Sequence, residues 1–244
     1  MRGAPAIGAA GAYGIALAAQ TRIAETPEEL LRELESAARK INSTRPTAIN
    51  LSWATDRVIK TIRAKSRTKR EILEIALEEA EAIADEDIRT NKKIGEHGAT
   101  LLQTGDTVLT WELSEDKIPV TLITDSTAGH LMRRGKIDKI IVGADRITED
   151  AVFNKIGTYT HSVLAKEHKI PFYVAAPTST IDRNHHEKDI TIEERDPDEL
   201  RYLNNIQLAP NNIPVYNPAF DATPIENITA IITEKGILHP PLTF

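Results

Sequence analysis

The sequence has no cysteine and only 5% aromatic residues, and it nowhere holds an apolar run near the roughly 20 residues that span a bilayer. Without cysteine, this chain holds no disulfide, no thiolate zinc site and no cysteine nucleophile. The small-residue opening over residues 3–19 carries Pro5, Gly8 and Gly11, which do not fit a cleavable signal, so a cytoplasmic protein with no membrane partner is expected. An excess of basic charge is also lacking. Thirty Lys+Arg against 36 Asp+Glu leave a formal net charge of −6, a surface that repels nucleic acid. There is no Gly-x-Gly-x-x-Gly after a strand pattern, no Walker-type loop and no Gly-x-Ser-x-Gly elbow, so no nucleotide cofactor is indicated. The histidines include the pair His185-His186 but none at metal-ligand spacing with a carboxylate, and no metal is expected.

What is present is length and rhythm. The 244 residues suffice for one large domain or two modest ones with a buried core. Residues 4–20 are Ala-rich, with Gly8, Gly11 and Gly14 along them and little polarity on any side. This predicts a helix buried all round and closely approached by neighbouring backbone. Thr26-Pro27-Glu28-Glu29 sets a Thr cap, a Pro at the first helical position and a Glu three residues after the cap. Leu30, Leu31, Leu34, Ala37, Ala38 and Ile41 follow at helical spacing. Pro46 opens a second segment with Ile49, Trp53, Val58, Ile59 and Ile62, and Thr68-Lys69-Arg70-Glu71 repeats the capping box ahead of a stretch reaching to about Asn91. Residues 28–87 read as an amphipathic helical bundle.

After Gly105, short apolar runs alternate with helical patterns. Residues 107–109, 120–123, 140–142 and 172–174 read as buried parallel strands, with helices over 126–134 and 157–168 between them. The expectation is an α/β fold: a helical amino-terminal domain over residues 1–104, then a Rossmann-like domain with a mainly parallel sheet over 105–244. The boundary falls near residues 102–106.

Ligands of an open α/β sheet collect outside the carboxyl ends of its strands. Asp125, Asp145 and Pro177-Thr178-Ser179 fall there, and the two aspartates are expected to converge on one crevice. A helix N-cap is the stronger reading for Asp125. Asp145, walled by apolar neighbours, would have its pKa pushed toward neutrality and suit proton transfer; a salt bridge between Arg146 and a carboxylate is the structural alternative. Asn154 and Lys155, read as a helix start, are placed to meet sugar hydroxyls or an anion. Arg2-Gly3-Ala4-Pro5 at another helix start is a ready phosphate site. Thr44-Arg45-Pro46-Thr47 offers a guanidinium fork to phosphate or carboxylate.

At these same residues the chain resembles the methylthioribose-1-phosphate isomerase family of sugar-phosphate isomerases, which is related to regulatory subunits of the exchange factor in eukaryotic translation initiation. The likeness runs end to end. It is carried by Arg2-Gly3-Ala4-Pro5-Ala6-Ile7-Gly8, Ser43-Thr44-Arg45-Pro46-Thr47-Ala48, Ile94-Gly95-Glu96-His97-Gly98, Leu122-Ile123-Thr124-Asp125, Val142-Gly143-Ala144-Asp145-Arg146-Ile147, Asn154-Lys155-Ile156-Gly157-Thr158-Tyr159, Ile192-Glu193-Glu194-Arg195-Asp196 and Tyr216-Asn217-Pro218-Ala219-Phe220-Asp221. The resemblance implies a cofactor-free homodimer that converts 5-methylthioribose 1-phosphate to the open ketose in methionine salvage. It implies Asp145 as the catalytic carboxylate, with Arg2, Gly3, Ala4, Arg45, Asn154 and Lys155 on the phosphate and sugar.

Two departures stand out. In the family, the strand matching residues 107–110 is followed by a turn carrying a catalytic cysteine and then by a few dozen further residues, whereas here Thr110 abuts Trp111. A strand ending at Thr110 and a helix starting at Trp111 leave no connection, where such loops take about 2–6 residues. We therefore expect this sequence to be a joined form of a longer chain rather than a natural deletion; a genuine deletion predicts a protein without turnover. The family also carries an amino-terminal subdomain ahead of the motif that here begins at Arg2. Two other functions compete: a related isomerase of ribose 1,5-bisphosphate, and a non-catalytic regulatory subunit.

Overall fold

Two of the helices start where their Thr-x-x-Glu spelling dictates. In the computed structural model, which describes residues 4–45, 48–101 and 119–243, Thr26 Oγ1 accepts from the Glu29 amide (3.2 Å) while Glu29 Oε2 accepts from the Thr26 amide (3.2 Å). Thr68 and Glu71 repeat the exchange at 3.2 and 3.0 Å. Four helices result: α1 (Ala4–Thr21), α2 (Pro27–Ser43), α3 (Ile49–Lys65) and α4 (Lys69–Ala99). Their apolar stripes meet in one core that includes Ile15, Leu34, Val58, Ile62 and Ile72.

The small residues of α1 do admit close neighbours. A Cβ on Gly11 would lie 2.5 Å from Leu51 Cδ1. The helix is not buried all round, however: Tyr13 and Leu17 are 41% and 61% exposed. Helices α3 and α4 cover one side of α1, and before Gln20 its Ala-rich text carries no charged or amide side chain to mark the other. Helix α4 runs past Asn91 to Ala99 and reaches the second half of the chain. There His97 Nδ1 donates to the Thr233 carbonyl (2.6 Å), and Ile94 packs on Tyr173, Ala230 and Ile232.

The second half contains α5 (Asp125–Arg133), β1 (Ile140–Val142), β2 (Arg146–Ile147), β3 (Ala151–Lys155), α6 (Thr158–His168), β4 (Phe172–Ala175), α7 (Asp198–Arg201), β5 (Tyr202–Leu203), β6 (Ile206–Gln207), β7 (Phe220–Pro224), β8 (Ala230–Thr233) and β9 (Gly236–Leu238). Its main sheet has the order β1-β4-β8-β9, parallel except for the β8–β9 hairpin. Phe172, Val174 and Ile231 are fully enclosed, which is why these strands read as unbroken apolar runs. A second, antiparallel sheet, β2-β3-β7, flanks the carboxyl end of β1 and was not foreseen in the mainly parallel reading.

The expected strand over residues 120–123 does not form. Leu122 is 92% exposed, and among the described residues no segment pairs with this run. The expected strand over 107–109, the boundary at 102–106 and the Thr110-Trp111 junction lie outside the described residues. No helix among the described residues is long and apolar enough to cross a membrane.

Candidate active site

Strand β1 ends at Val142, and Gly143 and Ala144 carry the chain to Asp145, where it turns into β2. The Asp145 amide donates to the Phe153 carbonyl (2.9 Å), which fixes the backbone there. The side chain meets a recess lined by Arg146, Phe153, Ile190, Ile192 and Phe220. This mostly apolar wall strips water from the carboxyl and raises its pKa above the usual carboxylate range. The positive charges of Arg45 and Lys155 oppose that rise, and the negative charge of Glu193 adds to it. Among the described residues the Asp145 carboxylate makes no hydrogen bond of its own. Four charges from four separate segments thus act on one another around a single strand end.

Each charge has its own support. Arg45 follows the last turn of α2, and its amide donates to the Asn42 carbonyl (3.3 Å). Its Nε donates to Glu193 Oε2 at 3.3 Å. Lys155 closes β3 opposite Phe220 of β7. Asn154 and Lys155 therefore sit at a strand end, not at a helix start as their polarity suggested. The strand was hidden because Ala151, Val152 and Phe153 are all buried, without alternation. The helix opens three residues later, at Thr158, after Gly157 takes a φ of 105° that favours glycine. Asp221 caps that turn: Oδ2 accepts from the Gly157 amide (2.7 Å) and Oδ1 from the Tyr159 amide (3.1 Å). Asn154 Nδ2 donates to Thr158 Oγ1 (3.0 Å).

Other sequence expectations resolve differently. Asp125 is exposed in the first turn of α5 and does not line the recess at Asp145, so the two aspartates do not converge there. Thr124, one residue earlier, takes the N-cap position. Arg146 does form a salt bridge, with Asp182 (3.2 Å), leaving Asp145 outside it. Pro177, Thr178 and Ser179 line a separate cavity of about 160 Å³ beside Asn50, Trp53 and Glu86, away from Asp145. Thr178 donates to Glu234 through its amide (2.9 Å) and hydroxyl (2.5 Å), and Ser179 Oγ accepts from Asn50 Nδ2 (2.9 Å). His185 contacts Asp182 (2.9 Å), and His186 lies 3.7 Å from Asp150. Among the described residues no group of three or more His, Asp and Glu is placed to hold a metal ion. Ala4 opens α1, while Arg2 and Gly3 lie outside the described residues. Glu193 and Asp221 went unnoticed as single residues. Their only signal was that both lie in stretches carrying the family likeness.

The profile of the Initiation factor 2 subunit family matches residues 1–112 and again residues 110–240. The chain belongs to that family. Its two matches meet at the Thr110-Trp111 junction. A protein of Methanosarcina acetivorans, named provisionally as a methylthioribose-1-phosphate isomerase, is 50% identical over 99% of this chain and 82% of its own length. That alignment runs to 288 positions, whereas 99% of the 244 residues is about 242, so about 46 aligned positions have no residue here. Among family members with solved structures, 5-methylthioribose 1-phosphate isomerase from Pyrococcus horikoshii is 40% identical, with a TM-score of 0.83 over 99% of this chain and 81% of that one. A protein from Archaeoglobus fulgidus described as translation initiation factor eIF-2B, subunit delta, is 48% identical, with a TM-score of 0.79 over 99% and 84%.

Proposed function

We propose that this chain is an aldose–ketose isomerase that converts 5-methylthioribose 1-phosphate to 5-methylthioribulose 1-phosphate in methionine salvage. The observation that carries the reading is the Asp145 carboxyl: half-buried against apolar side chains, raised in pKa, and flanked by Arg45 and Lys155. The 40–50% identity to proteins bearing this activity in their names supports it.

The substrate explains the arrangement. Its anomeric carbon bears a phosphate ester, so the ring does not open as a free aldehyde. A carboxylic acid whose pKa is raised by burial holds its proton more tightly than a free carboxyl, and protonates the ring oxygen as the C1–O bond breaks. Asp145 is that acid. Hydrogen then moves from C2 to C1, and the C2 hydroxyl becomes the ketone as its proton passes to a base, which the now ionised Asp145 carboxylate can serve as. Arg45, Lys155 and Asn154, with Arg2, Gly3 and Ala4 assigned by the family resemblance, hold the phosphate and sugar so that binding energy fixes the reacting carbons beside the acid. The apolar wall excludes water from the opened intermediate. The second acid–base group, which the family resemblance assigns to a cysteine, has no counterpart among these 244 residues.

That gap favours a second reading, in which the chain binds a sugar phosphate without turning it over, as a regulatory subunit. Incubating protein expressed from the intact gene with 5-methylthioribose 1-phosphate and following ketose formation separates the two. The isomerase reading expects turnover that Asp145→Asn abolishes. No turnover, with Asp145→Asn binding the sugar phosphate as wild type does, favours the regulatory reading.

The reading includes a cytoplasmic homodimer. Leu200, Leu203, Ile206, Leu208 and Tyr216, on and beside the β5–β6 hairpin, are each more than half exposed. So much apolar surface on one short excursion supports a second copy as its cover.

A further inference from the structure

Arg45 is held by a residue to which no role in the isomerase reading has been given. Its Nε donates to Glu193 Oε2 at 3.3 Å, with the two side chains only 24% and 19% exposed. Among the described residues this is the one hydrogen bond of the guanidinium. A carboxylate on Nε leaves Nη1 and Nη2, whose spacing matches two oxygens of one phosphate.

Glu193 is itself fixed. Its carbonyl accepts from the Ala219 amide (2.9 Å), and two residues on the Arg195 amide donates to the Asn217 carbonyl (2.8 Å). The Ala219 carbonyl in turn accepts from the Ile156 amide (3.3 Å), immediately after Lys155. The carboxylate therefore rides on the same backbone ladder as Lys155, while Arg45 reaches it from the helical half. Arg195, the other cation near Glu193, is engaged by Glu199 (2.7 Å).

We infer that Glu193 is a positioning residue for anion binding: it holds the Arg45 guanidinium across the seam between the two halves, so that its terminal nitrogens and Lys155 meet one phosphate group. The inference rests on the sugar-phosphate reading for the identity of the natural ligand; phosphate itself serves as the probe. Among the described residues, the charged groups acting on Asp145 are Arg45, Lys155 and Glu193. Changes at Glu193 therefore have two separable readouts, the reach to Arg45 and the charge felt by Asp145.

The test uses the full chain and three variants, with calorimetric titration of inorganic phosphate, thermal melts, and kinetics on 5-methylthioribose 1-phosphate across pH. Glu193→Asp keeps the charge but is one methylene short of Nε; KM and the phosphate Kd rise about 10-fold, and the pH limb set by Asp145 stays in place. Glu193→Gln keeps the reach without the charge, so binding weakens less, and the limb moves to lower pH because a negative neighbour has gone. Glu193→Ala does both. A purely structural Glu193 would lower the melting temperature in all three and leave KM, phosphate affinity and the limb unchanged, which overturns the inference. If the wild type does not turn over the sugar, the isomerase reading fails, and phosphate titration still decides: about 10-fold weaker binding by Glu193→Asp upholds the positioning role, and unaltered binding sinks it.

Discussion

The main-chain carbonyl of Asn50 occupies the place where a side chain on Gly8 would go: a Cβ there would lie 2.8 Å from that oxygen. Asn50 cannot retreat. It is 1% exposed, its Nδ2 donates to Ser179 Oγ (2.9 Å), and its Oδ1 accepts from Thr180 Oγ1 (3.1 Å). The start of α1, and with it the proposed phosphate-binding end, is therefore registered on the loop after β4 through one asparagine. Gly8→Ala should cost about 1–3 kcal/mol in urea unfolding, the range for overpacking against backbone. Asn50→Ala should cost roughly 2 kcal/mol, because it leaves the buried Thr180 hydroxyl and the part-buried Ser179 hydroxyl without their partner. Wild-type stability in Gly8→Ala would mean that α1 slides freely on α3.

Asp145→Asn keeps the shape of the side chain and removes its proton chemistry. We expect kcat to fall by about 10²–10⁴, the usual contribution of a general acid, with phosphate affinity within a few-fold of wild type. A variant with full kcat would remove Asp145 from the reaction.

The same substitution has a stability consequence with a defined sign. Burial raises the Asp145 pKa in the folded state, so folding disfavours the ionised form. The native state loses stability as pH rises from the ordinary carboxylate range through that raised value, and no penalty exists below the unfolded-state pKa. Asp145→Asn should therefore melt higher than wild type above neutrality and equal to it in acid. An Asn variant that melts lower at every pH would show that the carboxylate stabilises the fold. Arg45→Met, which removes an opposing positive charge, should move the Asp145 limb of the pH–rate profile to higher pH.

Arg146 and Asp182 form an ion pair with side chains 13% and 4% exposed. Breaking such a pair strands a charge, so Asp182→Ala should destabilise by about 3–5 kcal/mol. The double change Arg146→Met with Asp182→Leu should recover part of that loss, since it leaves no buried charge unpaired, although the Asn184 amide and His185 still lose their acceptor. Chemical denaturation of the two variants reads the difference.

Leu203→Glu together with Ile206→Glu places two charges on the exposed hairpin. Sedimentation should show a dimer for wild type and a monomer for the double variant, and the melting temperature should rise with protein concentration for wild type only. A variant that remains dimeric moves the interface elsewhere.

Much of the fold could be read locally. The boxes at Thr26 and Thr68 owe their structure to neighbours within a few positions, the runs at residues 140–142 and 172–174 announce themselves by unbroken local apolarity, and all formed where expected. Asp145 was legible for the same reason, as the first acidic residue beyond a strand. The Arg45–Glu193 contact joins residues 148 positions apart, and nothing local to Glu193 marks its partner. Residues 120–123 differ in the opposite sense: a β-rich run supplies propensity, but a strand also needs a neighbour, and among the described residues none pairs with this run. Asn154 and Lys155 were misplaced because the buried run before them loses the period that distinguishes a strand from a helix.

Helix α4 belongs to both halves of the molecule. Ile72, Ala76, Ala80 and Ile83 stand in the helical core, and Ile94 of the same helix stands in the cluster on the sheet. Its 31 residues make a beam about 46 Å long at 1.5 Å per residue. Neither core can give up this helix without opening the other, so denaturant should dismantle the chain in one cooperative transition, with helical and sheet signals lost together.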